Sequence, residues 1–291
     1  MGPFMALKDL LVYVDQTENS LVSLRLAADL AIRHGSRLTA LYAREWSRAQ
    51  HDRRKSAELG LVSAQGLQNL DRHIEASIDA MAERLRAALD ELTRGRGVEA
   101  ELRGIDGVAA EVVPQYARYA DLCILGRDES EGSASVSYTF SEQLLFVTGR
   151  PVLFVPPQGS FTTLGRHIVV AWNSSRPAAR SLNDALPLIE RADRTTIVMI
   201  NPSGFIDAHE GPPGEQMAEH LTRHGATVDE VRIEDVARGA IADRLQAEAC
   251  ALGADLIVAG AFGHPRLWEK MLGGVTHDLI ARMNLPVFMA H

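Results

Sequence analysis

The stretch DLLVYVDQTENSLVSLRLAADLAIRHGSRLTALYARE (residues 9–45) returns in pattern as RHIVVAWNSSRPAARSLNDALPLIERADRTTIVMINP (residues 166–202). Each copy opens on an apolar run that ends in a polar residue, Asp15 or Asn173. A turn rich in Ser, Thr and Asn follows. These are helix-capping residues, because their short side-chain oxygens satisfy the first free N–H groups of a helix. Leu21, Leu24, Ala28 and Ala31 then keep helical spacing in the first copy, and Ala178, Leu182, Ala185 and Leu188 keep it in the second. A second apolar run closes each copy. The later parts match as well: ADLCILGR (120–127) with ADLIVAGA (254–261), and GRPVLFVPP (149–157) with NLPVFMAH (284–291). Between them VEAELRGIDG (98–107) stands against VDEVRIEDVARG (228–239), each followed by a helical pattern.

The strand-like runs are continuous rather than alternating. That is the mark of strands buried on both faces, hence of a parallel sheet covered by helices. The chain therefore reads as two tandem doubly wound α/β domains, residues 1–157 and 165–291. PPQGSFTTLG (156–165) is the linker, rich in Pro, Gly and Thr. The halves differ between their second and third strands, where the first has about twice as many residues as the second. Part of the excess is a helix, with Leu70, Ile74, Ile78, Met81, Leu85, Leu89 and Leu92 at three- and four-residue steps. The basic REWSRAQHDRRK (44–55) before it reads as a solvated segment.

The chain has 291 residues and a formal net charge of -8, from 30 Lys and Arg against 38 Asp and Glu. Phosphate is repelled by such an average surface, which argues against sequence-independent binding of nucleic acid. No run approaches the length of a membrane helix, and no signal peptide is visible; Met5 would serve as an initiator as well as Met1. Two cysteines, Cys123 and Cys250, lie far apart and give neither a zinc pattern nor a disulfide framework. The reading is two buried thiols in a reducing cytoplasm.

IVAGAFGHPRLWEKMLGGVT (257–276) carries Gly260, Gly263 and Gly273. The first glycine ends an apolar strand, at the carboxyl edge where ligands of open α/β sheets sit. The third opens a helix, whose first N–H groups suit an anion. With the two-copy pattern, this Gly-x2-Gly-x9-Gly spacing resembles the universal stress protein family in its tandem form. The resemblance covers nearly the whole chain. It implies strand order 3-2-1-4-5 in each half and pairing of the two last strands within the chain. It also implies ATP, or AMP or ADP, in the second half, with no metal beyond a Mg ion carried by the nucleotide. Gly260, Gly263, Gly273, Gly274, Val275 and Thr276 would then surround the phosphates, and Ala171, Asn173 and Ile200 would line the adenosine.

Three departures stand out. Gly274 occupies the place of a Ser or Thr, Phe262 that of a frequent basic residue, and Asn173 that of an acid. Thr276 offers a replacement hydroxyl, and His264 and Arg266 a replacement charge. The first half departs further. Only Gly126 matches; Gly132 is misplaced, Tyr138 stands where Gly273 would, and Asp128, Glu129 and Glu131 repel phosphate. Asp15 keeps the family acid. The first half reads as not binding a nucleotide.

The function this implies is a cytoplasmic stress-response protein that binds an adenine nucleotide in its second half and regulates an unidentified protein partner. A nucleotide-free dimerising scaffold is the alternative, and a weak ATP-hydrolysing enzyme the third reading. No Walker motif, nucleophile elbow or Cys-His pair is present, and Glu269 is better read as a helix-start acid than as a base. His220 and His224 share a helix face without an obvious third or fourth ligand, so no metal site is assigned. Trp172 is open to two readings, a stack on adenine or a core aromatic. FIDAHEGPPGEQ (205–216) reads as a surface loop over the cleft.

Overall fold

The computed structural model describes residues 7–44, 64–127, 140–159, 161–204, 213–262 and 274–291. Segments 45–63, 128–139, 205–212 and 263–273 lie outside the described residues, and the loop expected over 205–216 is corrected at its end, where a helix begins at Pro213. The first half runs β1 (Asp9–Tyr13), α1 (Asn19–His34), β2 (Arg37–Arg44), α2 (Ala64–Thr93), β3 (Ala100–Asp106), α3 (Ala109–Ala117), β4 (Leu122–Gly126), α4 (Phe140–Thr148) and β5 (Val152–Val155). The second runs β6 (His167–Ala171), α5 (Arg176–Asp184), the single turn α6 (Leu186–Ile189), β7 (Arg194–Ile200), α7 (Pro213–Arg223), β8 (Val228–Ile233), α8 (Ile241–Ala251), β9 (Leu256–Gly260), α9 (Val275–Ala281) and β10 (Val287–Ala290).

The ten strands among the described residues form one sheet, in the order β3-β2-β1-β4-β5-β10-β9-β6-β7-β8. Each half thus has the expected order 3-2-1-4-5, parallel throughout. The halves meet through the one antiparallel pair, with Val287 opposite Phe154, Phe288 opposite Leu153 and Met289 opposite Val152. That pairing removes two apolar edges, each of which would otherwise template association. Residues 45–99 separate β2 from β3 and residues 201–227 separate β7 from β8, so the predicted difference in length is present.

Alternate strand residues feed two cores. On one face Leu10, Val12, Ile168 and Val170 meet α1, α2 and α5; on the other Leu11, Val169 and Ile257 meet α3, α4, α8 and α9. Both cores run through both halves. Burying each such side chain contributes about 1.5–3 kcal/mol. Helix α1 stops where Gly35 turns left-handed (φ 63°) and its N–H donates to the Ala31 carbonyl. The repeated Ala-Asp before β4 and β9 also has a cause. Asp121 Oδ2 accepts from the N–H groups of Lys8 and Asp9 (2.6 and 3.0 Å). Asp255 Oδ1 accepts from those of Arg166 and His167 (3.0 and 3.1 Å). Each carboxylate satisfies the donors that open the neighbouring central strand, which are otherwise unpaired there.

Candidate functional site

Strands β6 and β9 are neighbours, and the chain leaves their carboxyl ends toward opposite faces of the sheet. That is the switch point at which open α/β sheets form a ligand crevice. On the β6 side, Asn173 Oδ1 accepts from Ser175 N–H (3.2 Å), and Ser174 is left-handed (φ 57°). Ser175 then caps α5, its Oγ accepting from Ala178 N–H (3.3 Å). Pro177 sits in the first turn, where its missing N–H costs nothing. Ala171 ends β6 partly exposed, Asn173 is exposed, and Ile200 ends β7 partly exposed. Next to Ile200, Asn201 Nδ2 donates to the Val236 carbonyl (2.8 Å) and its Oδ1 accepts from Val236 N–H (3.0 Å). This clasp fixes the carboxyl ends of β7 and β8, and it joins residues 35 positions apart that no local period marks.

On the β9 side Gly260 lies against the start of α5. A Cβ there would stand 2.3 Å from Ala178 N and 2.6 Å from the Pro177 carbonyl carbon. Close packing on the helix backbone is thus a sufficient reason for glycine at 260, independent of any phosphate. Gly274, by contrast, has open space where its Cβ would be and an extended backbone (φ -103°, ψ 165°). It begins α9 without a side-chain cap. The two ends of the intervening segment come together, because Phe262 N–H donates to Thr276 Oγ1 (3.0 Å). Thr276 is buried at 8% exposure, and this bond leaves its hydroxyl proton as a donor. Val275, beside it, is partly exposed. Gly263, Gly273, His264, Arg266 and Glu269 lie outside the described residues.

Phe262 has a role that its sequence position did not announce. Its ring stacks on Phe146 of α4, in the other half (centroids 4.3 Å apart, planes at 29°). His291 meets Phe146 edge-on (5.0 Å), and its Nδ1 lies 3.0 Å from the Ala261 carbonyl. His277 Nδ1 of α9 lies 2.9 Å from Glu142 Oε1 of α4, and Glu142 is only 3% exposed.

At the equivalent place in the first half, side chains bond to one another and to the backbone. Asp15 Oδ1 accepts from Thr17 N–H (2.8 Å), Thr17 Oγ1 (2.5 Å) and Ser20 Oγ (2.7 Å). Asn19 Nδ2 donates to the Arg127 carbonyl (2.9 Å), and Asn19 and Ser23 sit directly beneath Gly126. The charged residues 128, 129 and 131, Gly132 and Tyr138 are outside the described residues.

Three other expectations resolve. Trp172 is 8% exposed and belongs to the core that α1, α2 and α5 cover. That favours the packing reading over the adenine stack. Cys123 is buried, and desolvation pushes its thiol up to about 12. Cys250 is exposed, which corrects the expectation of two buried thiols: it lies on the solvent side of α8 because Ala242, Leu245, Gln246 and Ala249 form the buried stripe. His220 and His224 meet edge to face at 4.8 Å, and burial followed by the neighbouring His224 lowers the His220 pKa. Among the described residues no group of three or more His, Cys, Asp or Glu is placed to hold a metal ion. No helix among them is long and apolar enough to cross a membrane.

Fold and crevice together define a tandem doubly wound α/β protein with its two sheets fused edge to edge. The chain matches the Universal stress protein family over residues 6–156 and again over 165–291, and it belongs to that family. Its fold is similar to that of a universal stress protein from Archaeoglobus fulgidus DSM 4304, at 18% identity and a TM-score of 0.68, covering 97% of this chain and 95% of that one. A functionally unknown protein from Pseudomonas aeruginosa PAO1 is similar at 14% identity and a TM-score of 0.56, covering 98% and 92%. At these identities the likeness is one of fold. No curated protein matches the chain.

Proposed function

We infer that the second half binds an adenine nucleotide, ATP or its AMP or ADP relatives, and that the protein acts as a stress-response regulator through contacts with a protein partner. The observation that carries this reading is the closure of the glycine segment at the switch point. Phe262 N–H on Thr276 Oγ1 brings the end of β9 and the start of α9 together. The Gly-x2-Gly-x9-Gly spacing and membership of the family support the same reading. In it Gly260, Gly263, Gly273, Gly274, Val275 and Thr276 face the phosphates through backbone N–H groups and one hydroxyl. Asn173, Ala171 and Ile200 face the adenosine, Asn173 with an amide in place of a charge. The first half is read as taking no nucleotide, because the glycine spacing is lost there and Asp128, Glu129 and Glu131 follow its fourth strand.

A second reading, a scaffold without nucleotide, is favoured by one observation: Gly260 is accounted for by its contact with α5 alone. Substitution of Gly263 by a bulky residue separates the two. Titration calorimetry with ATP shows binding in the parent chain and none in Gly263→Leu under the nucleotide reading, with the melting temperature of the free proteins alike. Under the scaffold reading neither chain gives heat. A phosphate-release assay tests the hydrolytic reading, for which no base or nucleophile among the described residues argues.

A further inference from the structure

We propose that α4 of the first half is a positioning element for the site of the second, with Phe146 and Glu142 as the positioning residues. The inference rests on the nucleotide reading and names how that site is regulated: occupancy in one half is coupled to the seam between halves.

Phe262 and Thr276–His277 stand at the two ends of the glycine segment, and both ends touch the same helix of the other half. Phe146 stacks on Phe262 at 4.3 Å, and Glu142 holds His277 at 2.9 Å. Phe262 is left-handed (φ 54°), a conformation that an aromatic residue keeps only where its surroundings over-determine it. The Phe146 ring and the Thr276 hydroxyl are those surroundings. Glu142 is buried, and a buried carboxylate is held in place by its partners, so its contact with His277 fixes α9 relative to α4.

The two residues of this pair occupy equivalent positions in the repeat, since each lies nine residues before the proline that precedes the last strand, Pro151 or Pro286. Across an exact two-fold axis one residue would meet its own copy, carboxylate against carboxylate. Here the duplicated chain sets an acid against an imidazole, which gives the seam a direction. Any ligand held at Phe262 and Thr276 is then linked to their contact with α4, and linkage is reciprocal.

The test compares the parent chain with Phe146→Leu, which keeps apolar volume without the ring, and Glu142→Gln, which keeps shape without the charge. Amide hydrogen exchange is read at Phe262 and in the first turn of α9, with β6 protection as the check that each variant is folded. Affinity is read by titration with fluorescent ATP. The proposal expects exchange at Phe262 to quicken about tenfold in Phe146→Leu without ligand, ATP to bind about tenfold more weakly in both variants, and ATP to slow exchange in α4 of the parent. A parent that takes up no ATP overturns the nucleotide reading and, with it, the ligand named here. A parent that binds ATP while both variants match it in affinity and in Phe262 exchange overturns the positioning role alone.

Discussion

Glycine stands at 260 and at 274 for opposite reasons, and substitution distinguishes them. A methyl group at 260 would overlap the backbone of Ala178 and Pro177, atoms that cannot turn aside. Gly260→Ala should therefore lose about 1–3 kcal/mol of stability in denaturant unfolding with no ligand present. Its effect on nucleotide binding would be uninterpretable without that control. Gly274 has room for a side chain and begins a helix. Gly274→Ser should change stability by only a few tenths of a kcal/mol. If a phosphate lies there, the added hydroxyl should tighten ATP by about fivefold, the worth of one net hydrogen bond of about 1 kcal/mol. His34 supplies a pH dependence. It is 5% exposed, and burial, then Arg191 and Arg33, lower its pKa from 6.5 to about 4. A helix C-terminus ordinarily favours a charged imidazole; here desolvation and two guanidinium groups win. Between about pH 6.5 and 4 the unfolded chain holds the extra proton, so stability falls as the pH is lowered through that window. His34→Asn should flatten that part of the curve of unfolding midpoint against pH. The spacing of Gly260 and Asn173 was legible in the sequence. The reasons for Gly260, Phe262 and Glu142 were not, because each is a contact between residues far apart in the chain.

Helices and strands were read more readily than contacts, since each leaves a local period. The α2 stripe is an example: Met81, Leu85 and Leu89 are buried in the core, while Leu70 on the same stripe is 44% exposed. The period announced the helix but not where the core beneath it ends. Likewise the Ser-rich turn before α5 announced a cap, and Ser175 is that cap, whereas the matching turn before α1 supplies none, Glu18 standing there without a side-chain bond. Ser175→Ala should cost about 1 kcal/mol in chemical denaturation. Because α5 begins against Gly260, the same change should also raise amide exchange at the end of β9. The outer strands β3 and β8 carry ion pairs, Arg37 with Glu101 and Arg194 with Asp229 among them. Such exposed pairs contribute little stability, but charges on edge strands discourage pairing with another chain.

At the scale of the molecule the repeat decided the architecture, and the antiparallel pairing of β5 with β10 makes one sheet of two. Phe154 and Phe288 lie at that seam, both fully buried, one in each core. Phe288→Ala should cost about 3–5 kcal/mol. Since both cores cross the seam, calorimetry should show the parent and the variant each melting in a single transition; two separated transitions would mean that the halves unfold independently. The tandem arrangement was legible because each half repeats the same strand and helix pattern. The two halves differ in sequence at Gly274 and Phe262 and in the acidic residues after Arg127. The bonds around Asp15 are local and belong to the Ser- and Thr-rich turn, whereas Asn19 donates to the Arg127 carbonyl, a pairing across the fold that no local period marks.

The proposed nucleotide site of the second half has a direct test. The most direct measurement is to purify the protein without added ligand, denature it, and identify what is released by mass spectrometry and ultraviolet absorbance. The expected release is adenine nucleotide at close to one per chain, from the second half alone. No nucleotide released, followed by no heat on titration with ATP, would contradict it and leave the glycines to chain geometry.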